Sequence, residues 1–243
     1  MVGGIFRTNS GETMPTIVFI SPKGGVGKTT SSLTLGTQLA KHGAAVTMID
    51  ADPNRPLKKW GKGGRKPDNL AIVSDIDEES ILDAIDVAAS MTPFVIVDLE
   101  GTADKIALLA VSQADLVIIP MQPSELDADQ ASRALKVIAQ QERMARRSVP
   151  HAVLFTRTNS TIRTRTMTHI ANSLREAGIP MFDTEMNERE AFRGMFSFSA
   201  PLEALDAADV ANVPKAIENA ERFMNEVLDT LRRNAATAEQ GAA

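Results

Sequence analysis

The feature that most constrains this chain is a short apolar run that leads directly into a glycine-rich loop. "TIVFI" (16–20) has the composition of a buried strand, "SPKGGVGKTT" (21–30) follows it, and "TTSSLTLGTQLAKHG" (29–43) is predicted as a helix that Gly43 ends. Glycines let the backbone wrap closely around an anion, and the N–H groups of the loop and of the next helix then point at phosphate oxygens. This order of elements predicts a phosphate-binding site at the end of the first strand.

The polar side chains of the loop fit a nucleotide bound with magnesium. Lys28 is placed to reach the β- and γ-phosphates, and Thr29 offers a hydroxyl to Mg²⁺. Pro22 stands where the strict pattern GxxxxGK[ST] has glycine, so a plain glycine-rich turn with exposed lysines is the alternative. The predicted nucleotide-binding residues of the loop are Lys23, Gly24, Gly25, Val26, Gly27, Lys28, Thr29 and Thr30.

Further apolar runs alternate with helical patterns along the chain. Strands are predicted at 45–50, 70–73, 94–99, 115–120, 151–156 and 180–184, the last one at an edge, and helices at 78–90, 105–114, 125–147, 165–178 and 214–233. Such alternation predicts an α/β fold, with a mostly parallel twisted sheet and helices on both faces. We expect one domain over 15–233, a flexible leader over 1–14 and a flexible tail over 234–243.

Aspartates follow two of the predicted strands. Asp50 and Asp52 end the strand in "MIDADPNRP", and Asp98 ends "FVIVD". Because ligands of parallel sheets bind at the carboxyl ends of the strands, these side chains should lie beside the loop. A carboxylate there can hold the magnesium shell or orient a water for in-line attack, although each aspartate could instead serve only a turn or cap. The predicted magnesium-binding residues are Thr29, Asp52 and Asp98.

Composition excludes several other classes of protein. The absence of cysteine excludes a disulfide framework and thiolate-bound zinc or iron–sulfur centres. No stretch approaches the roughly 18 apolar residues of a membrane span, and the N-terminus lacks the apolar run of a signal peptide, so we expect a cytoplasmic protein without membrane contact. A net charge of −5 argues against nucleic-acid binding over the whole surface, but allows a local basic patch.

The motifs taken together resemble the deviant Walker A family of ParA and MinD. "KGGVGKTT", "MIDADPNRP" and "VIVD" carry the resemblance, to which "VIIPMQPSELDADQ" and "EREAFRGMF" add, over about residues 15–230. It implies a single-domain P-loop NTPase with slow, Mg²⁺-dependent ATP hydrolysis and an ATP-dependent homodimer. By position, it implies that Lys28 serves the chain's own ATP, that Lys23 crosses to the partner's phosphates, and that Asp52, supported by Asp50, positions the attacking water. The implied catalytic residues are therefore Lys23, Lys28 and Asp52.

The resemblance also places the two switches and a base contact. Residues 52–66 correspond to the first switch. "DLEGTAD" (98–104) departs from the usual "DxPP" of the second, with Glu100 and Thr102 where Pro, Ala or Ser are common. Thr156 and Arg157 stand about where the family contacts adenine.

Residue types that the chain lacks argue against several branches of this family. The absence of cysteine and tyrosine argues against iron–sulfur carriers and bacterial tyrosine kinases, and the tail after Arg233 lacks the basic, apolar character of a MinD-like membrane helix. The small ParA type remains: a nucleoid-associated ATPase that segregates plasmid or chromosomal DNA with a ParB-like partner. "DADPNRPLKKW" and "MNEREAFRGMF" also resemble the VirC branch, which implies recruitment of a relaxosome for conjugative DNA transfer. Positioning of a protein cargo, or a biosynthetic ligase of the dethiobiotin-synthetase type, are further alternatives; Lys23 argues against the ligase.

An arginine-rich stretch predicts binding to duplex DNA. From Arg143 to Arg175 the chain has seven arginines and no acidic residue, and in the loop "RTNSTIRTR" (157–165) arginines alternate with hydroxyl and amide side chains. Such side chains suit phosphate oxygens and read no base sequence, whereas a solvated surface is the alternative. The predicted DNA-binding residues are Arg157, Arg163, Arg165, Arg189 and Arg193.

Overall fold

The computed structural model describes residues 14–100 and 105–241. Within them a seven-stranded sheet has the order β3-β2-β4-β1-β5-β6-β7, and every pairing of neighbouring strands is parallel. The strands are β1 (Thr16–Phe19), β2 (Val46–Ala51), β3 (Leu70–Ser74), β4 (Phe94–Leu99), β5 (Leu116–Met121), β6 (His151–Thr158) and β7 (Met186–Asn187). The predicted α/β class is confirmed. The predicted leader lies outside the described residues, apart from Met14.

Helices cover both faces of the sheet. They are α1 (Lys28–Lys41), α2 (Pro56–Gly61), α3 (Ile81–Met91), α4 (Lys105–Ser112), α5 (Glu125–Ala145), α6 (Arg165–Glu176), α7 (Glu190–Ser197) and α8 (Val213–Gly241), with a 3-10 turn at Leu202–Ala204. One apolar core joins the sheet to α1, α2, α7 and α8, and a second joins it to α3, α4, α5 and α6. Burial on both faces explains why β1, β2, β4 and β5 are buried at every position.

Gly43 ends α1 as the sequence predicted. Its φ of 89° is left-handed, a conformation that side chains other than glycine rarely adopt. The N–H of Gly43 donates to the carbonyl of Ala40 at 2.9 Å, and the N–H of Ala44 donates to that of Leu39 at 3.1 Å. This pair of bonds is the Schellman motif, which turns the chain toward β2.

The predicted edge strand at 180–184 is wrong in position. Only Met181 forms a bridge to Val153 there, and the strand that pairs with β6 is β7, at Met186–Asn187. The reason lies in α8, whose Glu226 carboxylate accepts hydrogen bonds from the backbone N–H groups of Asp183 at 2.6 Å and Thr184 at 2.8 Å. With those donors bound to a side chain, the ladder resumes only after Glu185.

Three features differ from the predicted helices. α8 continues to Gly241, eight residues past Arg233, so the predicted tail is helical over most of its length; its flexibility stays a prediction. The short helices α2 and α7 were not predicted. Each is too short to show a periodic pattern, and each is held by tertiary contact: the Trp60 indole N–H of α2 donates to the Met195 carbonyl of α7 at 2.9 Å. None of the helices in the described part of the chain is long and apolar enough to span a bilayer.

Candidate nucleotide site

The glycine-rich loop and the predicted aspartates converge on three adjacent strands. The loop follows β1, at the carboxyl edge of the sheet. Phe19 of β1 is in register with Asp98 of β4, and Asp98 is in register with Asp50 of β2. The sheet therefore brings together groups that lie far apart in the sequence, at the edge where parallel sheets bind ligands.

The backbone of the loop requires glycine at two points. Gly25 and Gly27 have φ values of 77° and 92°, both left-handed. Thr156 packs beside Gly27, where an added Cβ would meet the Thr156 Cβ at an ordinary contact distance of 3.5 Å. The Thr156 hydroxyl donates to the Val26 carbonyl at 2.6 Å, so β6 buttresses the loop.

Lys28 and Asp98 form a buried ion pair at the base of the loop. The Lys28 Nζ lies 3.5 Å from Asp98 Oδ1, and the two residues are 7% and 0% exposed. Burial raises the pKa of Asp98, while the Lys28 charge and the Thr29 hydroxyl oppose that shift. Asp98 Oδ2 is buried without a hydrogen-bond partner within the described residues. An unpartnered buried carboxylate oxygen is costly, so the site favours an added cation or donor there.

Asp50 lies beside this ion pair, and the three buried residues Lys28, Asp50 and Asp98 form the floor of the site. It is 1% exposed, and its Oδ2 accepts a hydrogen bond of 2.8 Å from the Lys58 N–H in α2. Burial raises the pKa of Asp50, the Lys58 N–H opposes the shift, and the nearby charge of Asp98 adds to it. Its Oδ1 likewise lacks a partner in the part of the chain that the structure describes. Asp50 thus ties the first switch segment to the site.

Asp52 and Lys23 lie closer to solvent. Asp52 is half-buried, its Oδ1 accepts a hydrogen bond of 2.8 Å from the Asn54 N–H, and its charge contributes to the raised pKa of Asp98. Lys23 lies at the outer end of the loop and is half-exposed, whereas Lys28 is buried. The two loop lysines therefore occupy different environments: one inside the site and one at its rim.

A cavity of about 280 Å³ adjoins the loop on the β6 side. It is lined by Gly27, Thr30, Ser31, Thr156, Arg157, Met186, Asn187, Glu188, Arg189, Phe192, Arg193 and Phe196. The mixture of aromatic and polar lining groups suits a flat base with polar edges. The sequence pointed to Thr156 and Arg157, but not to the α7 side chains. The i, i+4 spacing of Phe192 and Phe196 was the available signal.

The five arginines predicted for DNA do not form one group. Arg157, Arg189 and Arg193 line the cavity. The exposed Arg163 lines a neighbouring groove together with Arg189, and Arg165 is exposed at the start of α6. Some of them have carboxylate neighbours: the Arg193 guanidinium lies 2.7 Å from Glu188, and that of Arg163 lies 4.0 Å from Glu185. Their role in DNA binding stays a prediction.

The structure also bears on Arg147 and on part of the segment 98–104. Arg147, in the arginine-rich stretch, donates to the carbonyls of Ser112 at 2.8 Å and Ala114 at 3.1 Å, which gives it a structural role at the end of α4. Residues 101–104 of the second switch, including Thr102, lie outside the described residues. Glu100, just before them, is exposed.

Comparison with known proteins agrees with this architecture. The chain is similar to a variant of McdA from Cyanothece solved in complex with ATP, with a TM-score of 0.68 and 17% identity over 89% of this chain and 97% of that one. At this level of identity the likeness shows a shared fold.

Relatives by sequence are closer. Protein ParA of Rhizobium radiobacter is 42% identical over 210 residues, which cover 86% of this chain and 94% of that protein. Protein virC1 of Rhizobium rhizogenes is 30% identical over 187 residues, covering 75% and 80%. The family model described as VirC1 protein matches residues 14–239. The chain therefore belongs to the VirC1 family, within the ParA and MinD group of P-loop ATPases.

Proposed function

We propose that this chain is an ATPase of the small ParA type, which dimerises around ATP and Mg²⁺ and uses slow hydrolysis to position DNA. The observation that carries the proposal is the buried floor of the site. Lys28 faces Asp98 at 3.5 Å, and both Asp50 and Asp98 keep a buried oxygen without a partner within the described residues. Buried charges of both signs below a glycine-rich loop suit phosphates and a cation.

The residues at the floor fit a magnesium ion. Mg²⁺ takes oxygen ligands and keeps several waters, so it needs only one or two protein groups. Thr29 and Asp98 supply a hydroxyl and a carboxylate with a free buried oxygen, and Asp52 adds a carboxylate at the rim. When bound, Mg²⁺ would neutralise charge on the phosphate oxygens.

The loop and the cavity are proposed to bind different parts of ATP. The N–H groups around Gly24, Gly25 and Gly27, together with Lys28, bind the phosphates. The cavity between Thr156 and α7 takes the base, with Phe192 on its wall. Because Thr156 is bonded to the Val26 carbonyl, the base pocket and the phosphate loop are held at a fixed spacing.

Asp52 is proposed to orient the water that attacks the γ-phosphate. Its carboxylate is half-buried and follows β2 at the carboxyl edge, two residues after Asp50. Asp50 is a positioning residue: by accepting the Lys58 N–H, it fixes the segment in which Asp52 lies. Intrinsic turnover should be slow, well below the usual enzyme median of roughly 10 s⁻¹.

Lys23 is proposed to reach the phosphates of a second copy. A half-exposed cation at the rim can cross an interface, whereas the buried Lys28 cannot. A cation supplied in trans neutralises charge that develops in phosphoryl transfer. Dimerisation would then require ATP, and the dimer would join two sets of DNA-facing arginines, including Arg163 and Arg165.

The relatives support two kinds of DNA cargo. Similarity to Protein ParA supports segregation of plasmid or chromosomal DNA with a ParB-like partner. The match of the VirC1 model to residues 14–239 favours a second candidate, recruitment of a relaxosome for conjugative transfer. Both candidates share the ATP-dependent dimer, and family membership favours both over the ligase alternative.

The dimer is tested by light scattering with ATP and Mg²⁺, compared with ADP. We expect wild type to be dimeric only with ATP, and Lys23→Gln to bind ATP and stay monomeric. Lys136→Gln, an exposed lysine on α5, is the matched control and should dimerise like wild type. If Lys23→Gln dimerises as well as wild type, the role of Lys23 is wrong. If wild type stays monomeric with ATP, the dimer itself is wrong.

A further inference from the structure

A second basic surface lies on α2 and the residues just after it, within the segment 52–66 that corresponds to the first switch. Residues 55–66, "RPLKKWGKGGRK", hold six basic residues and no acidic one, in a chain whose net charge is −5. The basic residues are Arg55, Lys58, Lys59, Lys62, Arg65 and Lys66. Asp52 and Asp68 are the nearest acidic residues along the chain.

Some of these cations are engaged within the fold. Asp75, at the end of β3, pairs with Arg55 at 2.8 Å and with Lys58 at 2.5 Å. Lys66 donates to the carbonyls of Pro67 and Leu70, and Arg65 approaches that of Ala204 at 3.4 Å.

Lys59 and Lys62 differ from the others. Both are exposed, and no carboxylate in the described part of the chain lies within ion-pairing distance of either. They stand three residues apart, Lys59 within α2 and Lys62 at its C-cap in a helical backbone conformation, so they project from the same side of the chain. Excess positive charge is therefore concentrated at two neighbouring, exposed side chains in the second half of α2 and just after it.

The helix beneath these lysines is firmly anchored. Leu57 and Trp60 are 0% and 2% exposed, and the Trp60 indole donates to the Met195 carbonyl. At its start, the Lys58 N–H donates to Asp50. A Cβ at Gly63 would lie 2.0 Å from the Ser199 Cβ, so the chain after α2 is pressed against the end of α7. The charges are thus held on a rigid support tied to the floor of the nucleotide site.

We propose that Lys59 and Lys62, with Arg65 beside them, bind the phosphate backbone of duplex DNA. This inference rests on the proposed function, since it adds a second contact surface to the same DNA-positioning ATPase. Lysines act as point charges toward phosphates, and their binding gains from release of counterions. Protein interfaces instead favour aromatic and apolar anchors and disfavour lysine, and binding to a membrane surface needs apolar insertion. Here the apolar residues of α2 face inward.

The surface lies far from the arginines predicted earlier. α2 packs beside β2 and β3 at one end of the strand order, whereas Arg163 and Arg165 follow β6 near the other. Five strand spacings separate β3 from β6, or about 24 Å. The two surfaces therefore lie on opposite flanks of the nucleotide site. The α2 contacts would also respond to nucleotide, because Asp50 anchors that helix.

The test is fluorescence anisotropy on unrelated duplexes over a salt series with ATP and Mg²⁺. Lys59→Gln/Lys62→Gln should bind every duplex about ten-fold or more weakly near 0.1 M salt, and its log–log salt slope should be flatter by roughly 2 per engaged subunit. The control is Arg133→Gln/Lys136→Gln, which removes two exposed cations at the same spacing from α5 and should leave binding unchanged. Trp60 is the only tryptophan in the chain, so its emission reports whether α2 stays packed.

The outcomes separate this inference from the proposed function. Arg163→Ala/Arg165→Ala is measured in parallel. If only that variant weakens binding, the α2 surface is wrong and the DNA-positioning function stands. If wild type binds no duplex with ATP, the proposed function fails first. If the α2 variant keeps DNA binding and loses binding to anionic vesicles or to an acidic protein, the surface serves that partner and the inference is overturned.

Discussion

Charged side chains are buried at the centre of the carboxyl edge of the sheet and exposed on its two flanks. The charged residues at the centre are almost without exposure: Lys28, Asp50 and Asp98. Those on the flanks, on α2 and before α6, are exposed: Lys59, Lys62, Arg163 and Arg165. The same sheet edge therefore holds one region where water is excluded and two where it is not.

We propose that this difference separates the chemistry of the site from the recognition of partners. Burying an ion costs several kcal/mol, so charges without full pairing persist at the centre only because a ligand completes them. Exposed cations cost little and add little to stability, typically about 0–1 kcal/mol even when paired. Changes at the centre should consequently alter nucleotide binding, turnover and stability, while changes on the flanks should alter binding of partners alone.

The largest expected effect lies at the centre, at Lys28. Lys28→Ala should weaken ATP binding by about 100-fold or more, because it removes the cation proposed to face the phosphates and leaves Asp98 buried without its ion pair. Isothermal titration with ATP and Mg²⁺ measures the loss. Lys41→Ala, at the far end of the same helix and paired with exposed carboxylates, is the control and should bind as wild type does. If Lys28→Ala binds ATP as tightly as wild type does, the phosphates do not bind beside Lys28.

The next largest effect is expected at Asp52, which is half-buried and lies between the buried centre and the exposed flanks. Asp52→Ala should lower ATP turnover by about 100-fold, since it loses the carboxylate proposed to orient water, while ATP binding is retained and the proposed dimer accumulates. Phosphate release and light scattering measure the two consequences together. Asp229→Ala, an exposed aspartate on α8, is the control. If Asp52→Ala hydrolyses ATP at the wild-type rate, Asp52 does not orient the attacking water.

The smallest effect concerns the stability cost of the centre. Asp50→Asn should raise the free energy of unfolding at pH 7 by about 1 kcal/mol, because it replaces a buried carboxylate by a neutral group that still accepts from the Lys58 N–H. The pKa of Asp50 is raised above the ordinary value of 3.8, so the unfolded chain loses this proton first as pH rises. The contribution of Asp50 to stability is therefore full below that value and is lost as pH rises through the folded pKa.

Urea unfolding between pH 4 and 8 checks that sign. Wild type should lose stability over the lower part of this range relative to Asp50→Asn, and the two curves should run parallel at higher pH. Asp229→Asn serves as the exposed counterpart and should follow wild type. If Asp50→Asn is less stable than wild type throughout, the buried carboxylate is better compensated than its contacts indicate, and the contrast between centre and flanks weakens.

Local patterns in the sequence predicted the centre well. The strand before the loop, the glycines, Lys28 and Asp98 each carry a strong local signal, and the order of strands and helices placed them at one edge of a parallel sheet. The helix end at Gly43 was also predictable, since a glycine in the left-handed conformation closes a helix through neighbouring residues only. In these cases the physical cause lies within a few residues of its effect.

What the sequence by itself determined was the fold class, the phosphate loop and the aspartates at the strand ends, because periodicity and turn chemistry act over short stretches of chain. Tertiary structure alone decided the rest. Glu226 displaced the edge strand from 180–184, and Trp60 docked α2 on α7 across 135 residues of sequence. The base-side cavity arose where α7 meets β6. Such contacts depend on which surfaces meet after packing, and no local pattern encodes that geometry.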